Sequence, residues 1–142
     1  MRIVIDTNIW ISGLLWKGDP WQLLRLAESG QIEICIAYPM LLELEEVLGY
    51  PRFQPRLKTL NTTASQLATF AFTLATPIDV SPRQSQIVLQ DVDDDIFLHC
   101  AHDAQADYLV TNDRHLLAFR VYRGVQIVRV EDFLAQVFPK SD

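Results

Sequence analysis

The sequence predicts an α/β fold: a three-layer sandwich with a mainly parallel central sheet. Two observations carry this. Short β-branched runs without polar alternation recur along the chain, and helical patterns lie between them. A continuous apolar strand is covered on both faces, and strands alternating with helices imply parallel pairing with helices packed on the sheet.

Ile3-Val4-Ile5 opens the chain as a central strand. Trp21 to Glu28 is helical, with Leu23, Leu24 and Ala27 on its apolar side. Ile32 to Ala37 is a second strand, and Met40 to Leu48 a helix whose face carries Leu41, Leu44, Val47 and Leu48. Gly49-Tyr50-Pro51 ends that helix. Thr63-Ala64-Ser65-Gln66 has capping-box spacing and opens a helix to about Ala75. A weaker strand pattern lies around Pro77 to Val80, and Ser81-Pro82 marks a loop. Then come a helix from Asp94 to Gln105, a strand from Asp107 to Thr111, a short turn from Asp113 to Ala118, a strand from Val125 to Val130 and a helix from Glu131 to Phe138. No repeat, low-complexity segment or linker interrupts the series, so residues 1–142 are expected to form one domain.

Composition narrows the function classes. Hydrophobic residues make up 49% and charged residues 21%, which is globular usage. Asp6 interrupts what would be the apolar core of a signal peptide, and no apolar run approaches a membrane span, so a cytoplasmic protein with no membrane partner is expected. Cys35 and Cys100 sit far apart in apolar stretches and read as small buried hydrophobes. A formal net charge of −6 argues against a passive nucleic-acid binder, which needs Lys and Arg against phosphates. It leaves room for a metal-dependent phosphodiesterase, where bound cations supply the positive charge and carboxylates hold them. There is no glycine-rich phosphate loop.

In open α/β sheets ligands bind beyond the carboxyl ends of the strands. Two polar groups stand there, Asp6-Thr7-Asn8 after the first strand and Thr111-Asn112-Asp113 after Tyr108-Leu109-Val110. Such residues also serve as helix N-caps. A third acidic element, Asp91-Val92-Asp93-Asp94-Asp95, precedes Phe97, Leu98, Ala101 and Ala104. Acids in a first helical turn complement the helix dipole. At about 100° per residue, however, Asp94 falls within the apolar stripe and aims toward the sheet edge. On the helix after the second strand, Glu46 lies opposite the apolar face, while Glu43 and Glu45 flank it, so geometry leaves two candidates.

With these acids in place the chain resembles the PIN domain family. The resemblance rests on Asp6-Thr7-Asn8, on Glu43 within Leu-Leu-Glu-Leu-Glu-Glu-Val-Leu, on Asp94 within Asp-Val-Asp-Asp-Asp-Ile-Phe-Leu-His-Cys-Ala and on Asp113 within Val-Thr-Asn-Asp-Arg-His-Leu-Leu. It is nearest to the branch of toxin components of toxin–antitoxin pairs, which shares a Val-Leu-x-x-Pro-Arg-Phe-like segment, here Val47 to Phe53. The resemblance implies a PIN-like, Rossmann-related sandwich and a metal-dependent endoribonuclease with Mg²⁺ or Mn²⁺ held by Asp6, Glu43, Asp94 and Asp113. It selects Glu43 over Glu45. Thr7, Asn8, Thr111 and Asn112 become supporting polar residues, and the run Asp93-Asp94-Asp95 allows the third ligand to slip by one. It further implies an RNA substrate, a small basic antitoxin and a homodimer.

Other signals are given ordinary roles. His99 and His102 fall away from the Phe97 and Ala101 face and are assigned to solvated surface, as is His115. Trp10, Trp16 and Trp21 could stack on RNA bases or line a dimer contact, and burial in the core or under a loop is the default expectation. Arg52, Arg56 and Lys58 form the densest basic group, in a loop after the Glu43 helix, and are candidate RNA contacts. A receiver-type signalling domain would pair two acids after the first strand and place a lysine after a late one, and neither is present. The remaining alternative is a noncatalytic RNA-binding or assembly module of the same fold.

Overall fold

The computed structural model describes residues 1–80 and 95–139. Asp94, with Asp91, Asp93 and the Ser81-Pro82 loop, lies outside the described residues.

The chain begins with β1 (Arg2–Ile5), α1 (Thr7–Leu15), α2 (Asp19–Glu28), β2 (Glu33–Ala37) and α3 (Tyr38–Leu48). A 3₁₀ turn (Pro51–Phe53), α4 (Gln54–Thr59), α5 (Ala64–Leu74) and β3 (Thr76–Ile78) follow. After the undescribed stretch come α6 (Asp95–Asp103), β4 (Tyr108–Val110), α7 (Arg114–Leu117), β5 (Val121–Tyr122), β6 (Val125–Val128) and α8 (Val130–Val137).

Six strands form one sheet in the order β3-β2-β1-β4-β6-β5. All neighbours are parallel except β5 and β6. Ile3 pairs with Ile34 on one side and Tyr108 on the other, which centres β1 in the sheet. Successive strand residues point to opposite faces, yet Ile3, Val4 and Ile5 are all fully buried. Both faces of β1 are therefore covered, as its lack of alternation predicts. Arg2 ties down the opposite, amino edge: its guanidinium bonds Glu33 Oε1 at 2.8 Å and the Ala104 carbonyl at 3.0 Å, and Thr76 donates to Glu33 Oε2 at 2.8 Å.

The remaining differences from expectation have local causes. The weak strand is Thr76–Ile78 rather than Pro77 to Val80. Helix α1 carries no readable amphipathic period, because Ile9, Trp10, Ile11, Gly13 and Leu15 are buried around most of its circumference. It lies against α2 so closely that a Cβ on Gly13 would stand 2.8 Å from the Pro20 carbonyl oxygen and 2.9 Å from Leu24 Cδ1. Arg52, Arg56 and Lys58 do not sit in an ordinary loop but on the 3₁₀ turn and α4, whose one buried residue is Leu57. Strand β5 joins β6 through Arg123-Gly124, both at positive φ, the conformation of a tight hairpin turn in which glycine is at ease.

Two side-chain assignments are corrected. His99 is buried at 7% exposure rather than solvated. Trp16, expected in the core or under a loop, is 45% exposed, whereas Trp10 is buried and Trp21 half-buried. Cys35 and Cys100 are free and buried as expected.

Candidate functional site

Chain direction explains where the polar residues gather. From β1 the chain proceeds outward to β2 and β3, then returns across the sheet to β4 and β6. The β1/β4 boundary is thus the topological switch point, where helices diverge and leave a crevice at the carboxyl edge. Asp6 follows β1 and Thr111 follows β4 at that boundary.

Asp6 caps α1. Its Oδ1 accepts the Ile9 N–H at 2.9 Å, and its other carboxylate oxygen accepts the Thr111 hydroxyl. Thr111 Oγ1 in turn accepts the Asp113 N–H at 2.9 Å, and Asp113 caps α7 by accepting the N–H groups of His115 and Leu116 at 2.7 and 3.3 Å. On the other side Thr7 Oγ1 donates to Glu43 Oε2 at 3.0 Å. Three of the four expected acids are therefore brought to one edge, with the two threonines joining them. Thr7 and Thr111 are buried, while Asn8 and Asn112 are exposed beside them. The fourth acid, Asp94, lies outside the described residues.

The electrostatics of Asp6 differ from those of a simple helix cap. Burial pushes its pKa above the ordinary aspartate value, against the lowering by the Thr111 and Ile9 bonds, and the neighbouring Asp113 raises it further. The charge facing it is another carboxylate rather than a cation. Burial and the neighbouring Asp113 charge both disfavour an ionised Asp6, and a bound cation would offset both. The donor set is all oxygen, which suits Mg²⁺ or Mn²⁺ rather than softer metals. Among the described residues no three His, Cys, Asp or Glu side chains converge on a single point.

The basic group lies elsewhere. Arg56 Nε donates to the Leu15 carbonyl at 2.7 Å, at the C-terminus of α1, where a cation complements the helix dipole. Nine residues of helix separate it from Asp6, about 14 Å along the axis. Arg52 lies over the rings of Tyr50 and Phe53, and Lys58 is exposed. Sequence reasoning missed the Thr7–Glu43 bond, whose only signal was the flanking position of Glu43 on its helix.

A mainly parallel sheet with carboxylates at its switch point places the chain among the open α/β folds, in which ligands bind beyond the strand ends. The PIN domain family model matches residues 2–115, and the chain belongs to that family. Its members are typically nucleases and usually use a divalent metal. The chain is also similar to the crystal structure of PAE2754 from Pyrobaculum aerophilum, with a TM-score of 0.57 at 17% identity over 99% of this chain and 100% of that one, a likeness of fold. No curated protein is significantly similar in sequence. Among the described residues no helix is long and apolar enough to cross a membrane.

Proposed function

We propose that this chain is a metal-dependent endoribonuclease, the toxin of a toxin–antitoxin pair, with Asp6, Glu43, Asp94 and Asp113 as the ligands of Mg²⁺ or Mn²⁺. The observation that carries the reading is Asp6, a buried carboxylate at the switch point whose neighbouring charge is Asp113. A bound divalent cation would neutralise that pair, activate water and stabilise the leaving oxygen of a phosphodiester.

The chain's own residues have distinct parts in this chemistry. Asp6 is held with both oxygens in place by Ile9 and Thr111, and Thr111 also fixes the Asp113 backbone. Thr7 orients Glu43, and the exposed Asn8 and Asn112 offer amides to a substrate phosphate or ribose. Such pre-set geometry reduces reorganisation when the substrate arrives.

The resemblance to toxin components adds two partners. A small antitoxin would cover the acidic edge with an inserted Arg or Lys, because a planar guanidinium engages carboxylates bidentately. A second copy of the chain would complete a homodimer.

The deciding experiment incubates the purified chain with tRNA, mRNA and single-stranded DNA, with and without Mn²⁺, beside Asp6→Asn. Manganese-dependent RNA cleavage lost in the variant supports the reading. Equal cleavage by Asp6→Asn removes the site. No cleavage of any RNA, together with harmless overexpression and no basic partner on co-purification, favours the noncatalytic module.

A further inference from the structure

We infer that the cluster of Trp16, Tyr50, Phe53, Arg52 and Lys58 is a second contact for single-stranded RNA, one helix length from the acids. The inference deepens the ribonuclease reading and rests on it for the identity of the ligand.

Charge is distributed unevenly along the chain. The whole is at −6, yet from Val47 to Ile78 it carries no Asp or Glu and three cations, Arg52, Arg56 and Lys58. This is one of two acid-free stretches with several cations, the other running from Arg114 to Val130 with Arg114, Arg120, Arg123 and Arg129, and both attract phosphates more than the acidic remainder does.

Aromatic rings are interleaved with those cations. Trp16 is 45% exposed and Tyr50 38%, and both are large side chains that burial would favour. Trp16 lies 6.3 Å from Phe53, Arg52 is over Phe53 and Tyr50 at 4.8 and 5.5 Å, and Arg56 is over Trp16 at 5.8 Å. Exposed rings beside guanidinium groups are what unpaired bases and their phosphates require: the ring stacks on the base and the cation meets the backbone. Arg56 is anchored on Leu15 and holds the platform, leaving Arg52 and Lys58 exposed to solvent.

The platform and the acidic edge lie at the two ends of α1. Asp6 caps the N-terminus of α1 and Trp16 its C-terminus. On α1 itself Asn8 and Ser12, four residues apart, reach solvent on one side, Asn8 exposed and Ser12 half-buried, and the exposed Trp16 follows at the C-cap. A strand stacked at Trp16 can follow this side and deliver a phosphodiester to Asp6. A duplex cannot present its bases this way, so the surface selects single strands.

The test measures binding apart from cleavage. A short fluorescent oligouridylate is titrated in EDTA into wild type, Trp16→Ala, Trp16→Phe, Arg52→Gln and Lys58→Gln, each checked for an unchanged melting curve. We expect saturable binding by wild type, about tenfold or greater weakening in Trp16→Ala, recovery in Trp16→Phe, and a salt slope reduced by about one for each cation removed. Absence of wild-type binding, or equal binding by all variants, overturns the proposal, as does a Trp16→Ala whose only change is in self-association by sedimentation. Binding without manganese-dependent cleavage leaves this surface standing and defeats the nuclease reading. Cleavage with variants that bind and cut like wild type does the reverse.

Discussion

The hydroxyl of Thr7 donates a 3.0 Å hydrogen bond to Glu43, joining the residue after the first Asp of the chain to a helix that starts behind a different strand. This bond separates Glu43 from Glu45 and Glu46, which are exposed on the same helix. Thr7→Val keeps the shape and removes the donor. A loss of roughly 0.5–1.5 kcal/mol in denaturant unfolding is expected, with a larger fall in manganese-dependent cleavage, while Thr7→Ser retains both. Glu45→Gln should cleave as the parent does. Full activity in Thr7→Val would mean that the orientation of Glu43 is immaterial.

Asp6 sets a pH dependence. Its pKa is raised in the fold, so the folded state holds the proton more tightly than the unfolded chain. That contribution is complete below the ordinary aspartate value of about 3.9 and is lost as pH rises through the raised one. Without metal at neutral pH the buried charge therefore costs stability. Asp6→Asn keeps an oxygen to cap α1 but carries no charge, so it should melt above the metal-free parent at pH 7. The gap should close as pH falls toward about 4. A variant that melts lower at pH 7 would show that the carboxylate is stabilising in place.

Metal should reverse that order. A cation bound by the folded state alone raises its stability with concentration. Mn²⁺ should lift the melting temperature of the wild type, and Asp6→Asn and Asp113→Asn should lose the rise. An equal rise in all three would locate manganese elsewhere.

The contact between α1 and α2 admits no side chain at position 13. Ala is the better helix former by about 1 kcal/mol, yet its methyl would meet the Pro20 carbonyl and Leu24. Overpacking of this kind costs about 1–3 kcal/mol, so Gly13→Ala should unfold at lower denaturant. Cleavage should fall with it if α1 carries Asp6 out of position.

Both thiols should be silent. Burial pushes Cys35 up to about 11 and Cys100 up to about 12, so neither forms a thiolate near neutrality. A disulfide reagent should find no reactive thiol in the native protein and two in denaturant. Rapid native labelling would expose an opening of the sheet around β2.

The strands and most helices were legible from sequence because their signal is local. Ile3-Val4-Ile5 needs only its lack of alternation to be a buried strand, and Thr63 needs only Gln66 three residues on to cap a helix, which it does by accepting the Gln66 N–H at 3.1 Å. Asp6 and Asp113 stood out because they come just after strands, and parallel strands deliver the residues beyond their carboxyl ends to one edge. Features that required the tertiary structure depend on neighbours remote in sequence. Glu43 is singled out by Thr7, His99 is buried against expectation, and Trp16 is exposed although apolar. Helix α1 hid its period because α2 and α3 both pack on it and six of its nine residues are buried. Periodicity reports how one element meets solvent, and it cannot report which distant surface covers a side chain. That is decided only when the chain has closed on itself and the free energy of each position includes all the groups around it.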